Sequence, residues 1–334
     1  MTSVDIDAEF RPASGLANRH VQTLLPRTLP RPSPGLSREV LELADGDFVE
    51  LSWCDGSTIG RYAPLLVVFH GLEGSVDSPY ARHILASAEQ QGWRGVLMHF
   101  RGCGRWPNRR PRAYHSGDTA DARYLLETLR HRYPHATMAA LGVSLGANML
   151  LKLLAEGADN PLALAGAMAV APPVDLAGCA DTLQRGLARV YQRHLLTSLK
   201  ARVAPRLASG ELPLGLREAD LEQLTTLRAY DDAVTAPLHG FAGASDYYQR
   251  ASAGPLLRHI RTPTLILHAA DDPFMPPGLY DDLMLGAGIR LERSSHGGHV
   301  GYVEWRDGQL ASWLARRVGQ QLDQWQATVR EADK

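Results

Sequence analysis

Cysteine is scarce in this sequence, and it has no long apolar run. Only 3 of the 334 residues are cysteine, namely Cys54, Cys103 and Cys179, and no two of them have C-x-x-C spacing. Few and widely separated cysteines are typical of a reducing compartment. No apolar run reaches the length that spans a bilayer, and the acidic first residues lack the apolar segment of a secretory signal. We therefore expect a cytoplasmic protein.

The sequence also lacks an excess of charge of either sign. The 35 Lys and Arg residues balance the 36 Asp and Glu residues, so the formal net charge is −1. A dedicated nucleic-acid-binding protein would show a basic excess or a basic stripe. Metal-ligand spacing is missing as well, because neither H-E-x-x-H nor a Cys/His ligand pattern occurs. We therefore expect no nucleic-acid partner and no metal centre.

Short apolar runs with strand character alternate with runs that favour helices. This alternation predicts an α/β fold, with a mostly parallel central sheet and helices on both of its faces. Ligands bind such sheets at the carboxyl ends of the strands. The predicted strands are Val40–Leu43, Phe48–Trp53, Leu65–Phe69, Gly95–Phe100, Thr137–Leu141, Ala163–Val170, Thr264–Leu267 and Ile289–Glu292.

The strand signals stop near Asp175 and resume at Thr264, and the residues between them favour helices. A chain of 334 residues, 45% of them hydrophobic, is long enough for a core domain with an inserted cap. The proline-rich residues 26–34 indicate an extended arm or linker. The predicted division is an N-terminal arm of residues 1–39, a core of residues 40–174 and 257–334, and a helical cap of residues 175–256.

A G-x-S-x-G motif runs from Gly142 to Gly146, with Ser144 at its centre. Apolar residues 136–141 precede it and helix-favouring residues 147–154 follow, which is the strand-turn-helix context of a nucleophile elbow. The backbone at such a serine is strained, and the flanking glycines leave room for the sharp turn. The alternative is a glycine-rich turn whose serine caps a helix. The context favours Ser144 as a nucleophile.

Two adjacent aspartates are the candidates for the acid that orients a catalytic base. Asp271 and Asp272 follow the predicted strand that begins at Thr264. The prolines at 273, 276 and 277 should fix the turn just beyond Asp272, so we favour Asp272 and keep Asp271 as the alternative. Asp175 follows another strand, but its Pro-Pro-Val-Asp context favours a turn carboxylate.

Two histidines in one flexible loop are the candidates for the base itself. His296 and His299 lie beyond the last predicted strand, in the order Ser, Asp, His that a serine at such an elbow uses. Gly297 and Gly298 give the backbone of His299 room to approach the serine. We therefore favour His299, with His296 in a supporting or capping role.

An oxyanion in acyl transfer needs hydrogen-bond donors, usually the amide after the nucleophile and one amide from an earlier strand-helix loop. Leu145 supplies the first. The strand that ends at Phe69 leads into a glycine-containing turn, and Leu72 in that turn is the second predicted donor. His70 stands at the strand end, where a histidine more often fixes a turn than takes part in catalysis.

The predicted cap contains a basic amphipathic stretch. Apolar residues from Leu183 to Val203 recur at helical spacing, and arginines and one lysine occupy the other faces. Such a stretch can dock on an anionic membrane, although it more often covers a protein core. A membrane surface is therefore a possible partner that the pattern does not favour.

The motifs together resemble those of the serine α/β-hydrolases of the YheT-like esterase branch, which are relatives of the abhydrolase domain proteins and of plant embryogenesis-associated hydrolases. The resemblance implies an α/β-hydrolase fold, a triad of Ser144, Asp272 and His299, and no cofactor. One departure is Ala147, where the family often has a second glycine. The matching blocks are Asn18 to Leu24, His70 to Ser75, Phe100 to Gly104, Tyr114 to Thr119, Gly142 to Lys152, Tyr230 to Asp232, Thr235 to Pro237, Gly240 to Phe241, Asp271 to Phe274 and Ser294 to Gly301.

The sequence therefore predicts a carboxylic ester hydrolase that acts on a small-molecule or lipid ester. The same residues could instead carry out acyl transfer, or lipase or phospholipase action at a membrane surface. A third hypothesis is a noncatalytic binding protein on a hydrolase scaffold. The complete set of Ser, Asp and His candidates disfavours this hypothesis.

Overall fold

One mixed β-sheet organises the fold. The structure, a computed structural model, describes residues 4–7, 9–56, 60, 62–157 and 162–332. The strands of the main sheet are β1 (Val4–Asp7), β2 (Leu36–Glu42), β3 (Phe48–Cys54), β4 (Leu65–Phe69), β5 (Arg94–His99), β6 (Met138–Val143), β7 (Gly166–Val170), β8 (Thr264–Ala269) and β9 (Ile289–Ser294). Within the described residues their order across the sheet is β1-β9-β8-β7-β6-β4-β5-β3-β2. Strand β3 is antiparallel to β2 and β5, and the other neighbouring pairs are parallel.

Helices cover both faces of this sheet. They are α1 (Arg19–Leu24), α2 (Ala81–Gln90), α3 (Ala120–Arg132), α4 (Leu145–Glu156), α5 (Leu176–Thr182), α6 (Ala188–Ala208), α7 (Leu227–Tyr230), α8 (Ala236–Leu238), α9 (Ala244–Ala251) and α10 (Trp313–Ala332). The side chains of β4 alternate between the faces. Val67 and Phe69 pack in one core cluster with apolar residues of α3 and α4, and Leu66 and Val68 pack in another with those of α2 and α10. Because β4 is buried on both faces, its sequence is an unbroken apolar run.

The predicted α/β class is confirmed. The predicted strands coincide with β2 to β9, with shifts at their ends. Strand β2 begins at Leu36, earlier than expected, because this edge strand carries exposed polar residues that hide its strand character. Strand β7 begins after Ala163, whose φ of 50° is left-handed and cannot continue a strand. The four-residue strand β1 and the hairpin of β10 (Val303–Arg306) and β11 (Gln309–Ser312) were not predicted.

The segment between β7 and β8 is helical and has a core of its own. It contains α5 to α9, with short 3₁₀ and π turns between them. Leu196 and Val203 of α6 pack there with Leu221, Tyr230 and Val234, in a cluster separate from the two that flank the sheet. No helix in the described part of the chain is long and apolar enough to cross a membrane.

Helix α1, near the start of the chain, contacts this helical segment. Residues 1–39 include β1, α1 and the start of β2, and β1 pairs in parallel with β9 at the edge of the sheet. Nδ1 of His20 on α1 lies 3.1 Å from the hydroxyl of Tyr191 on α6, and the two rings stack. Helix α1 therefore contacts α6 on the side of the molecule where the carboxyl ends of the parallel strands lie.

Candidate active site

Ser144 occupies a sharp turn between β6 and α4. Its φ of 52° and ψ of −120° are strained for a residue with a side chain. The Ser144 amide donates a hydrogen bond to the carbonyl of Val170, 2.8 Å away, so the serine remains tied to β7 while the chain reverses. The turn lifts the hydroxyl above the sheet at the start of α4.

Two glycines make this turn possible through close backbone contacts. A Cβ atom on Gly142 would lie 2.4 Å from the carbonyl oxygen of Gly146. A Cβ atom on Gly146 would lie 2.5 Å from the carbonyl oxygen of His70. Both contacts are with backbone atoms, which cannot swing aside as a flexible side chain can. The G-x-S-x-G spacing is thus a steric requirement of the turn.

The structure brings Ser144, His299 and Asp272 together in one hydrogen-bonded chain. Nε2 of His299 lies 3.0 Å from Oγ of Ser144, and Nδ1 lies 2.8 Å from Oδ2 of Asp272. The Asp272 side chain is fully buried, and that of His299 is 10% exposed. A carboxylate accepts hydrogen bonds, so Nδ1 donates to Asp272 and leaves Nε2 as the acceptor that faces the serine.

Two residues that sequence reasoning did not single out hold the His299 ring and backbone. The Phe274 ring stacks on the imidazole with centroids 4.0 Å apart and planes 5° apart. The His299 amide donates to Oγ1 of Thr23 on α1, 2.9 Å away. Phe274 and Thr23 both lie in sequence blocks that match the family. That match is the one feature of the sequence that could have indicated their role.

The neighbouring candidates have different partners. Asp271 accepts a hydrogen bond from the Gly298 amide at 2.9 Å, and its other oxygen lies 3.5 Å from Nδ1 of His296. The His296 side chain is 48% exposed. Burial raises the pKa of Asp271. Asp175 caps α5 by accepting from the amide of Gly178. Asp271 and His296 therefore support the loop that carries His299, and Asp175 has the turn role expected of it.

His70 fixes the turn after β4 by hydrogen bonding. Its Nε2 accepts from the Phe100 amide at 3.1 Å, so the proton is on Nδ1, which donates to the carbonyl of Gly71 at 2.7 Å. Burial lowers the pKa of His70 to about 3. The ring is therefore neutral near neutral pH and has the structural role that its position at the strand end indicates.

The turn held by His70 carries one of the two predicted oxyanion donors. Leu72 and Leu145 both line the cavity in front of Ser144. Within the described residues, neither of their amides donates a hydrogen bond to another protein group. Backbone amides in a cavity lining that have no protein partner can donate hydrogen bonds to an anionic oxygen.

An ion pair with the helical segment holds the same turn from the other side. Glu73 has a left-handed φ of 55°, and its amide donates to the Tyr114 hydroxyl at 2.7 Å. Its carboxylate accepts from that hydroxyl at 2.9 Å and from Nε of Arg202 on α6 at 3.0 Å. Sequence reasoning placed Arg202 only among the basic residues of the amphipathic stretch.

A cavity of about 360 Å³ lies in front of Ser144 and His299. Tyr191, Leu195 and Leu199 of α6 line it on the side opposite the sheet. A largely apolar cavity of this size suits a small organic ligand.

Two acidic residues, Glu73 and Asp231, also line this cavity. Asp231 lies in the helical segment. It begins a π-helical turn, Asp231–Thr235, and accepts hydrogen bonds of 2.7 Å from Tyr248 and Thr235. Burial raises the pKa of Asp231 to about 6.

Among the described residues, no group of three or more His, Cys, Asp or Glu side chains is arranged to hold a metal ion.

The sheet order, the strand-turn-helix serine and the helical segment inserted before β8 define the class of protein. They are the features of an α/β hydrolase. The family model described as the alpha/beta hydrolase fold matches residues 64–304. The chain belongs to the α/β hydrolase fold family.

Comparison with known proteins shows which members of this family the chain is similar to. The chain is 45% identical over 322 residues to Escherichia coli YheT, which is provisionally named an esterase, covering 92% of this chain and 93% of that protein. It is 28% identical over 296 residues to the phospholipase ABHD3 of Mus musculus, covering 85% and 70% of the two chains. The crystal structure of the Pyrococcus furiosus esterase Pf2001 superposes with a TM-score of 0.55 at 14% identity, covering 88% of this chain and 92% of that one, and it supports the fold alone. The predicted resemblance to YheT-like hydrolases is confirmed.

The close contacts of Gly146 generate a stability prediction. Gly146→Ala should lower the free energy of unfolding by about 1–3 kcal/mol, because its Cβ atom would overlap the backbone of His70 and Phe69. Urea unfolding followed by circular dichroism measures this difference. Gly35→Ala is the matched control, since a Cβ atom there meets nothing within 4 Å. Equal stability of the two variants would show that steric crowding does not explain the motif.

Proposed function

We propose that the protein is a serine hydrolase that cleaves carboxylic esters through an acyl-enzyme intermediate. The observation that carries the proposal is the chain of two hydrogen bonds from Ser144 through His299 to Asp272. The 45% identity to YheT, which is provisionally named an esterase, agrees with it. The substrate class is a small-molecule or lipid ester, and the chemistry requires no metal or organic cofactor.

The proposed reaction begins when Oγ of Ser144 attacks the ester carbonyl. Nε2 of His299 takes the hydroxyl proton, and Asp272 stabilises the resulting imidazolium. The Leu72 and Leu145 amides hold the negative oxygen of the tetrahedral intermediate. The intermediate then collapses, His299 gives its proton to the departing alcohol, and the acyl group stays on the serine. Water, activated by the same histidine, releases the acid.

We further propose that residues 175–256 form a cap over a core of residues 40–174 and 257–334, and that residues 1–39 form an N-terminal arm. The separate hydrophobic cluster of the helical segment and the cavity between that segment and the sheet support the division. The contact of His20 with Tyr191 joins the proposed arm to the proposed cap. A reducing, cytoplasmic location fits three buried cysteines that form no disulfide.

Acyl transfer, or lipase or phospholipase action on a lipid ester, is the second candidate. The similarity to the phospholipase ABHD3 favours the phospholipase action among these. Product analysis in the presence of alcohol acceptors separates transfer from hydrolysis, because transfer yields a new ester where hydrolysis yields the free acid.

The nucleophile is tested first. Ser144→Ala should lower kcat for p-nitrophenyl esters by at least about 10³ and abolish labelling by a fluorophosphonate, because the reacting hydroxyl is gone. Ser198→Ala, which removes another hydroxyl that lines the cavity, should keep both activities. Labelling of the Ser144→Ala variant at the wild-type level would disprove the assignment, and absence of labelling in the wild type would favour a noncatalytic binding protein.

The paired acids and histidines give the next prediction. Asp272→Asn and His299→Gln should each lower kcat by about 10³–10⁴, since the base is misoriented or lost. Asp271→Asn and His296→Gln should lower kcat far less. Asp271→Asn keeps an oxygen that can accept from the Gly298 amide, and the His296 side chain is half exposed. Steady-state kinetics of the four variants decides. A larger loss in His296→Gln than in His299→Gln would reverse our choice of base.

Chain-length preference tests the acyl pocket. Each methylene buried is worth up to about 0.8 kcal/mol, so kcat/KM should rise with acyl-chain length until the cavity is full and then fall. Truncation of a side chain in the cavity wall, Tyr191→Ala or Leu195→Ala, should move the optimum to longer chains.

Leu214→Ala is the matched control for these truncations, because Leu214 packs in the same helical segment without lining the cavity. A flat dependence on chain length that none of the folded variants alters would place the acyl pocket elsewhere.

A further inference from the structure

The mouth of the cavity lies between α1 and α6. Most residues that line the cavity are buried or half-buried, whereas Leu24, Arg27 and His194 both line it and are exposed. Leu24 ends α1, Arg27 is in the 3₁₀ turn that follows, and His194 is on the first half of α6. Residues that face both the cavity and the solvent mark the opening through which a substrate enters.

Exposed aliphatic side chains border this mouth. Val21 and Leu24 are three residues apart on α1, and they are 37% and 48% exposed. Leu187 and Val190 are each 64% exposed and share a helix face with His194. The contact between His20 and Tyr191 joins the two helices, and each of the four aliphatic residues lies within four positions of that contact along the chain. Exposed apolar residues gathered at one place indicate an interaction surface.

Positive charge is concentrated on α1, on the first half of α6 and on the residues next to these two helices. The five exposed arginines there are Arg19, Arg27, Arg185, Arg189 and Arg193. None of them forms an ion pair with a carboxylate in the described part of the chain, and the nearby Asp181 is paired with Arg228. The chain as a whole has a formal charge of −1, so this local excess is not a property of the overall composition. We call Val21, Leu24, Leu187, Val190 and these arginines the mouth rim.

We propose that the mouth rim docks on the surface of an anionic phospholipid bilayer. The aliphatic side chains would enter the boundary between headgroups and acyl chains, while the arginines contact the lipid phosphates. The long arginine side chains suit this position, because their stems are apolar and their heads reach the polar layer. The cavity mouth then opens directly towards the lipid. The binding itself does not depend on the proposed esterase chemistry, and only the entry of a lipid ester rests on it.

Vesicle flotation tests the docking. The full-length protein should float with vesicles in which about a third of the lipid is phosphatidylglycerol, and much less with vesicles of pure phosphatidylcholine. High salt should weaken the binding, because it screens the arginines. Ser144→Ala should float like the wild type. This variant separates a failure of docking from a failure of the proposed hydrolysis.

Rim variants give the sharper comparison. The double variants Leu187→Ser with Val190→Ser, and Arg189→Gln with Arg193→Gln, should each lower the partition coefficient by about tenfold or more. Turnover of a water-soluble short-chain ester should stay unchanged, since none of these four side chains lines the cavity. Met284→Ser and Arg306→Gln are the controls, because both residues are exposed and neither belongs to the mouth rim.

Two results would overturn the proposal. One is a wild-type protein that does not float with the anionic vesicles, or that floats no better than folded rim variants. The other is a concentration-dependent dimer in analytical ultracentrifugation that the Leu187→Ser, Val190→Ser variant loses while vesicle binding is absent. That result would identify the rim as a contact between two copies of the chain. Circular dichroism of each variant confirms that it is folded.

Discussion

The strained turn at Ser144 is the constraint on which the rest of the site depends. A side chain at a φ of 52° persists only where the surrounding backbone leaves no alternative. Here the carbonyl of His70 leaves no room for a side chain at Gly146, and the carbonyl of Val170 accepts a hydrogen bond from the Ser144 amide. Three neighbouring strands, β4, β6 and β7, therefore fix the position of one hydroxyl. The same packing brings the turn after β4, with Leu72, next to the serine.

The other groups of the candidate site reach this point from distant parts of the chain. His299 comes from the loop after β9, its amide is held by Thr23 near the start of the chain, and Arg202 of the helical segment holds Glu73 beside Leu72. A change in the position of α1 or α6 would therefore affect both the site and the mouth of its cavity.

A buried charge network gives a structural role to the sequence block Phe100 to Gly104, for which we propose no catalytic role. Arg101 is almost fully buried and donates to Asp45, Asp47 and Asp121. Removal of one partner from such a group would leave an uncompensated buried charge, which typically costs about 3–5 kcal/mol. Arg101 thus anchors the loop after β5, whose first residue, Phe100, donates its amide to His70.

The sequence by itself determined what local rules control. Apolar runs and the strict spacing of Gly142, Ser144 and Gly146 predicted the class of fold and the serine at the elbow, because strand burial and backbone sterics act over a few residues. The choice between adjacent residues, such as Asp271 and Asp272, leaned on family resemblance. The contacts of Thr23, Phe274 and Arg202 were decided only by the tertiary structure, because they join residues that are tens to hundreds of positions apart. Periodicity carries no information on which distant surfaces meet.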